Sequence, residues 1–320
     1  NVINPMDIID KYGSDALRLG VVANRSAGQN QAFAVDKVVA GRNFANKLWN
    51  IARFIEGKIG DQSVKPEAKA TNIAEHWIIG ELNDLANNVE KCLSEYRFAE
   101  ATDLVYHTIW GSVADWYLES SKQSDNLPLM AWVLDTTLRI AHPFAPFVTE
   151  TIWQTLDLHS SPLISQKWPE KSDYNDIAAG EFNQLKLLVA EARYVTHEFG
   201  GKKQTLLYGE DSLIADNKEL VGKLAGLAAV KKADNPQGLR LAVAGREAWL
   251  DIDQKTLKHH HKNLETRIKD IESQIKTLQG RLSNDSYVNN APEAVVSETR
   301  EGLKEQQLLL IRLQAELQII

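Results

Sequence analysis

A chain of 320 residues exceeds what one hydrophobic core usually organises, so two or three domains are expected. With 43% hydrophobic and 25% charged residues the composition is that of an ordinary globular protein, and it contains no apolar run of about 18 residues and no basic-then-apolar leader, so a cytoplasmic protein without membrane attachment is expected. The net charge of −7 excludes a protein that coats nucleic acid by bulk charge, and the single cysteine, Cys92, excludes an intrachain disulfide or a cysteine-cluster zinc site.

In chain order, residues 1–20 read as short helices broken at Gly13, an entry segment ahead of a long helical region. Residues 35–57, 72–96, 97–121 and 130–156 each carry helical periodicity, and together they predict an antiparallel bundle, with Pro143 and Pro146 interrupting the last segment. The Ser/Pro/Asp-rich passage 159–176 reads as a domain boundary. Beyond it come a helix over 180–199, a Gly200–Gly201 turn, a strand over 202–209, a short helix ending near Leu227, and strand-like 228–233 and 239–252. This predicts a small α/β unit.

The tail changes period. Leu257, Leu264, Ile268, Ile271, Ile275, Leu278 and Leu282 follow the three-and-four spacing of a coiled-coil seam, and Val296, Thr299, Leu303, Gln306, Leu310, Leu313, Leu317 and Ile320 form a second. The turn residues and Pro292 between them predict an antiparallel hairpin. The expected fold class is therefore mainly α. Its divisions are a lead-in segment (1–25), a helical bundle (26–170), a small α/β connector (171–252) and a coiled-coil hairpin (253–320).

Against the acidic total, two windows are basic: 37–58 holds five Lys or Arg against Glu56 alone, and 254–282 holds seven against three. In the first, Phe44, Leu48, Ile51 and Ile55 form a core stripe, while Asn43, Lys47, Asn50 and Phe54 form a second stripe about a quarter-turn away. An aromatic ring, two amides and a cation on one face suit unstacked bases, by stacking and edge hydrogen bonds. Packing of Phe54 on a neighbouring helix, with Lys47 merely solvated, is the alternative. Lys37, Arg42 and Arg53 are candidates for phosphate contacts, which fix register without reading bases. In the second window, with Ile268 at position a and Ile271 at d, Lys255, Lys262, Lys269 and Lys276 all fall at position b, away from the partner helix. They are candidate phosphate contacts too, the alternative being a solubilising face. His259, His260 and His261 cannot share one ion from consecutive helix positions, His142 and His197 lack a second ligand, and Gly200–Gly201 has no following Lys-Ser/Thr to make a phosphate loop, so no metal site is expected.

Several stretches resemble one family. DIIDKYGSDALRL (7–19) is similar to the segment after the KMSKS loop of class I aminoacyl-tRNA synthetases, and the KMSKS lysines themselves do not occur in this sequence. RNFANKLWNIARF (42–54), RFAEATDLVYHTIWGSVADWYLESSK (97–122) and HPFAPFVTETIWQTL (142–156) resemble the anticodon-binding domain of valyl-tRNA synthetases, and RLSNDSYVNNAPEAVVSETREGL (281–303) resembles their C-terminal coiled coil. The resemblance implies anticodon contacts from the 42–55 helix and from the WYLE turn, here Leu118 and Glu119 of 116–119. It also implies a partner, tRNA(Val), and a whole enzyme whose catalytic and editing domains use ATP and Mg to attach valine. The stretch at hand would be a non-catalytic, monomeric tRNA-gripping portion with no cofactor of its own. The same region of an isoleucyl or leucyl enzyme, and a coiled-coil adaptor unrelated to tRNA, remain as rivals. Isoleucyl enzymes commonly end in a cysteine-ligated zinc module, which one cysteine cannot build.

Overall fold

The computed structural model describes residues 3–23, 33–122, 124–156, 160–199, 201, 203–242, 245–290 and 293–319. They form two compact units, residues 1–183 and 184–320. The readings placed on Gly200, Pro292 and Ile320 lie outside the described residues.

The first unit is helical: α1 (Pro5–Tyr12), α2 (Ser14–Val22), α3 (Val35–Ile59), α4 (Ile73–Ser94), α5 (Phe98–His107), a π-helix (Thr108–Tyr117), α6 (Leu118–Ser121), α7 (Leu127–Ala141), α8 (Pro146–Thr155) and the first third of α9 (Asp176–Glu198). Asn4 caps α1, its side chain accepting from the Met6 N–H, with Pro5 in the first turn where no donor is needed. Gly13, at φ +91°, makes the break before α2. Helices α2 and α3 cross so closely that a Cβ built on Gly41 would lie 2.9 Å from the Ala16 carbonyl oxygen. The predicted α3 stripe of Phe44, Leu48, Ile51 and Ile55 is buried throughout. At the start of α4 the buried Glu75 carboxylate accepts from the Thr71 N–H (2.7 Å) and from the Thr71 Oγ1, Ser124 Oγ and Asn126 Nδ2 atoms (each 2.8 Å). The buried charge is tolerated because four donors reach it, three on Oε2 and one on Oε1. Helix α7 stops at Ala141 before Pro143, and α8 begins on Pro146, as each proline's missing donor requires.

The passage expected to be a boundary instead lies along this unit. Asn83 donates to the Ser172 carbonyl (2.8 Å) and accepts from its N–H (3.0 Å), the Trp168 indole donates to the Ala86 carbonyl (3.2 Å), and the Asn175 N–H donates to His76 Nδ1 (3.2 Å). The division between units falls inside α9, between Asn183 and Gln184.

The second unit contains the rest of α9, β1 (Thr205–Tyr208), α10 (Ser212–Asp216), α11 (Lys218–Leu224), β2 (Ala229–Lys232), β3 (Leu239–Leu241), β4 (Ala248–Leu250), α12 (Gln254–Leu282), α13 (Asp285–Asn290) and α14 (Glu293–Ile319). The sheet order is β2-β1-β4-β3, with β1 parallel to β2 and antiparallel to β4. The segment 239–252, read as strand-like, is a hairpin, with Leu239 opposite Leu250 and Gly245 at φ +62° in its turn. Alternate residues Leu206, Tyr208, Leu239, Leu241, Ala248 and Leu250 are buried, as period-two strands with one covered face require. Helices α12 and α14 pair through Leu264, Ile268 and Leu313, supported by Ile271, Leu309, Leu310 and Leu317. The end of α9 steadies the base of this hairpin. Glu198 pairs with Arg267 of α12 (2.9 Å), Tyr194 lies under the Arg312 guanidinium of α14 (3.8 Å), and the Phe199 ring sits 4.3 Å from that of His260.

Candidate nucleic-acid interface

The DALR stretch is a structural clasp. Asp15 is buried, and its carboxylate accepts from the Phe147 N–H (3.2 Å) and the Val148 N–H (2.7 Å) in the first turn of α8. A carboxylate at a helix N-terminus satisfies orphan donors and faces the positive end of the dipole. Arg18 donates to the Pro143 carbonyl (3.1 Å), so one turn of α2 holds the HPFAPF bend from both sides. Within that bend His142 Nδ1 lies 2.8 Å from Thr149 Oγ1, which donates to the Ala145 carbonyl (2.7 Å). Burial lowers the imidazole pKa from its ordinary value, which favours the neutral ring.

On α3 the stripe of Asn43, Lys47, Asn50 and Phe54 faces outward: Asn43 and Asn50 are exposed, and Lys47 and Phe54 are half-buried. Lys47 is not simply solvated. Its Nζ is 2.9 Å from Asp115 Oδ1 and 4.8 Å from the Trp110 ring centre. Trp110 stacks on Tyr106 (5.5 Å between ring centres), and Tyr106 stacks on the core residue Phe44 (5.4 Å). A ladder of three rings thus runs from the core to the ammonium.

Arg42, exposed, lies over the Tyr12 ring (5.9 Å) and donates to Asn43 Oδ1 (3.3 Å). Arg53 is exposed and Lys37 half-buried. Trp49, 40% exposed, lies on the helical face that carries Arg42 and Arg53, a position the sequence pattern did not single out. Of the WYLE turn, Glu119 is exposed and paired with Lys122 (2.7 Å), but Leu118 is only 8% exposed. Its side chain points into the core, which withdraws it as a direct base contact.

Along α12, Lys255, Lys262, Lys269 and Lys276 are all exposed. No ion pair engages them among the described residues. Of the neighbouring histidines, His260 is buried and His261 stands 3.8 Å from Glu265. No group of three His, Cys, Asp or Glu side chains that could hold a metal ion occurs among the described residues. Neither is any described helix long and apolar enough to cross a membrane.

Known proteins resemble this chain over most of its length. Residues 75–207 match the anticodon-binding domain of tRNA ligase, and residues 257–320 match the valyl tRNA synthetase tRNA binding arm. The valine–tRNA ligase of Geobacillus kaustophilus (strain HTA426) is 30% identical over 330 residues, covering 94% of this chain and 37% of that one. Those of Streptomyces coelicolor (31% identical, 99% of this chain, 38% of that one) and Bacillus cereus (33%, 97%, 38%) match similarly. The chain belongs to the valyl-tRNA synthetase family. It spans well under half the length of the valyl relatives it matches. A solved complex of the Agrobacterium radiobacter K84 agnB2 LeuRS with tRNA and LeuAMS matches at 16% identity and TM-score 0.47, over 65% of this chain and 23% of that one, too remote to carry an argument.

Besides Trp49, the residues missed from sequence were Tyr106, Trp110 and Asp115. Five positions apart on an α-helix, Trp110 and Asp115 would point roughly 140° from each other at 3.6 residues per turn. The π-helix removes that separation.

Proposed function

We propose that this chain is the tRNA-gripping portion of a valine–tRNA ligase, and that it positions tRNA(Val) for ATP- and Mg-dependent attachment of valine by catalytic and editing domains elsewhere in the whole enzyme. Asn43, Lys47, Asn50 and Phe54 meet anticodon bases, with Glu119 at their edge, and Lys37, Arg42 and Arg53 steady the backbone. Lys255, Lys262, Lys269 and Lys276 lie along phosphates of the tRNA body. The division of labour follows the two compact units, a helical bundle (1–183) for the anticodon and a second unit (184–320) whose hairpin meets the tRNA body. The protein acts as a monomer in the cytoplasm. ATP and Mg belong to the other domains.

One observation carries this reading: four exposed lysines, ion-paired to no described acid, stand in a single row, and three of them, Lys262, Lys269 and Lys276, lie on the segment matching the valyl tRNA synthetase tRNA binding arm. At about 1.5 Å per residue the row runs roughly 30 Å, a span that suits several phosphates. Binding of a tRNA(Val) transcript, measured against a duplex RNA of equal length at matched salt, tests it. Preference for the transcript is expected. Equal binding of both RNAs would reduce the chain to a coiled-coil protein with incidental positive charge.

A further inference from the structure

We infer that Asp115 is a positioning residue for Lys47, turning it from a phosphate-seeking charge into a directional donor for a base edge. The inference rests on the anticodon role just proposed for α3. An ammonium has three N–H donors and no acceptor. Asp115, 2.9 Å away, engages one of them, and the Trp110 ring, 4.8 Å from Nζ, covers one side of the cation. The remaining donor capacity is left for a ligand, on a helix row where Asn43 precedes and Asn50 follows Lys47 by about one turn. With a carboxylate beside it, Lys47 presents almost no net charge to an approaching phosphate, and Asp115 itself repels one. A neutral acceptor, such as a base carbonyl or ring nitrogen, feels no such penalty. The stripe is thus a hydrogen-bonding face with its charge cancelled, beside arginines whose charge is not. Contacts to phosphate position a nucleic acid, and contacts to base edges specify it.

Folding alone gives little reason for the pair. Its side chains are 25% and 51% exposed, and ion pairs in that setting contribute little to stability. The backbone nevertheless departs from the α-helix to make it. Residues 108–117 form a π-helix, whose i→i+5 hydrogen bonds bring residues five apart, such as Trp110 and Asp115, to the same side. On the opposite side Ser112 Oγ donates to Glu81 Oε2 of α4 (2.6 Å), and Ile109, Val113 and Tyr117 are buried, which fixes the rotation of the segment. π-Helical segments are rare and gather at functional sites.

The test uses the whole chain and two anticodon stem–loops, one with a valine anticodon and one with an altered anticodon base, titrated over a range of salt. For Asp115→Asn, binding to both RNAs should tighten, the log–log salt slope should steepen by about 0.7 to 0.9 as one more phosphate is engaged, and the ratio of the two Kd values should fall several-fold. Asp115→Glu, which keeps the charge, should retain the parental slope. Lys47→Ala should lower the ratio without steepening the slope. If Lys47→Ala lowers the ratio but Asp115→Asn leaves ratio and slope unchanged, the positioning role is overturned and the anticodon face stands. An unchanged ratio in Lys47→Ala overturns both. Equal weakening for the two RNAs in Asp115→Asn, with an earlier thermal melt, would mark Asp115 as a fold support and also overturn the inference.

Discussion

Removing the Asp15 carboxylate, itself buried, leaves two N–H groups in the first turn of α8 without their acceptor. Losing a buried, charge-assisted acceptor costs about 1 to 3 kcal/mol. For a unit of this size that corresponds to roughly 2 to 4 °C of melting temperature per kcal/mol. Asp15→Ala should lower the melting temperature accordingly, and Asp15→Asn, which keeps one acceptor oxygen, should lose less. Differential scanning calorimetry of both variants checks the order, and an unshifted Asp15→Ala melt would show that the clasp adds nothing to stability. The sequence marked DALR as a signature without revealing this job, because its partners lie more than 120 positions away and nothing local encodes them. Lys47 was legible as a cation on an outward stripe, yet its pairing with Asp115 was not, for the same reason. Leu118 shows the converse error. A family likeness supplied the role, and burial denies it to the side chain.

Elements set by local chemistry were readable from sequence: the Gly13 break, the Pro143–Pro146 stop and the hairpin seam all follow from backbone preference or apolar period. The π-helix was hidden because Ile109, Val113 and Tyr117, four apart, satisfy an α-helical pattern equally well. The strap over 160–175 was hidden because Ser, Pro and Asp suit a linker as well as a segment whose backbone is held by Asn83 and His76. On α12 the seam defines its own opposite face. Lys255, Lys262, Lys269 and Lys276 stand off the buried line of Leu257, Leu264, Ile268 and Ile275, so reversing their charge does not touch the packing. Changing Lys262, Lys269 and Lys276 together to Glu should therefore keep helicity by circular dichroism and lower affinity for tRNA(Val). It should also flatten the salt dependence by about 0.7 to 0.9 in log–log slope for each phosphate no longer engaged. Should affinity and slope both match the parent protein, the row is a solubilising face.

Over the whole molecule, an acidic chain carries its positive charge in two places, one on each compact unit: around α3 in the first and along α12 in the second. That arrangement gives each unit a basic face of its own and disfavours indiscriminate binding, since the rest of the chain is acidic. Gripping RNA and activating an amino acid are separable tasks. Activation needs groups that cradle a triphosphate as the adenylate forms, and the sequence contains neither the KMSKS lysines of its family nor a glycine-rich loop followed by Lys-Ser/Thr. The purified chain should accordingly bind a tRNA(Val) transcript while failing to exchange labelled pyrophosphate into ATP in the presence of valine, under conditions where a full-length valine–tRNA ligase does so readily. The two measurements belong together, because a misfolded sample would fail both and only the folded chain should separate them. Valine-dependent exchange by the pure chain would place adenylate chemistry within these 320 residues and overturn the division of labour proposed for them.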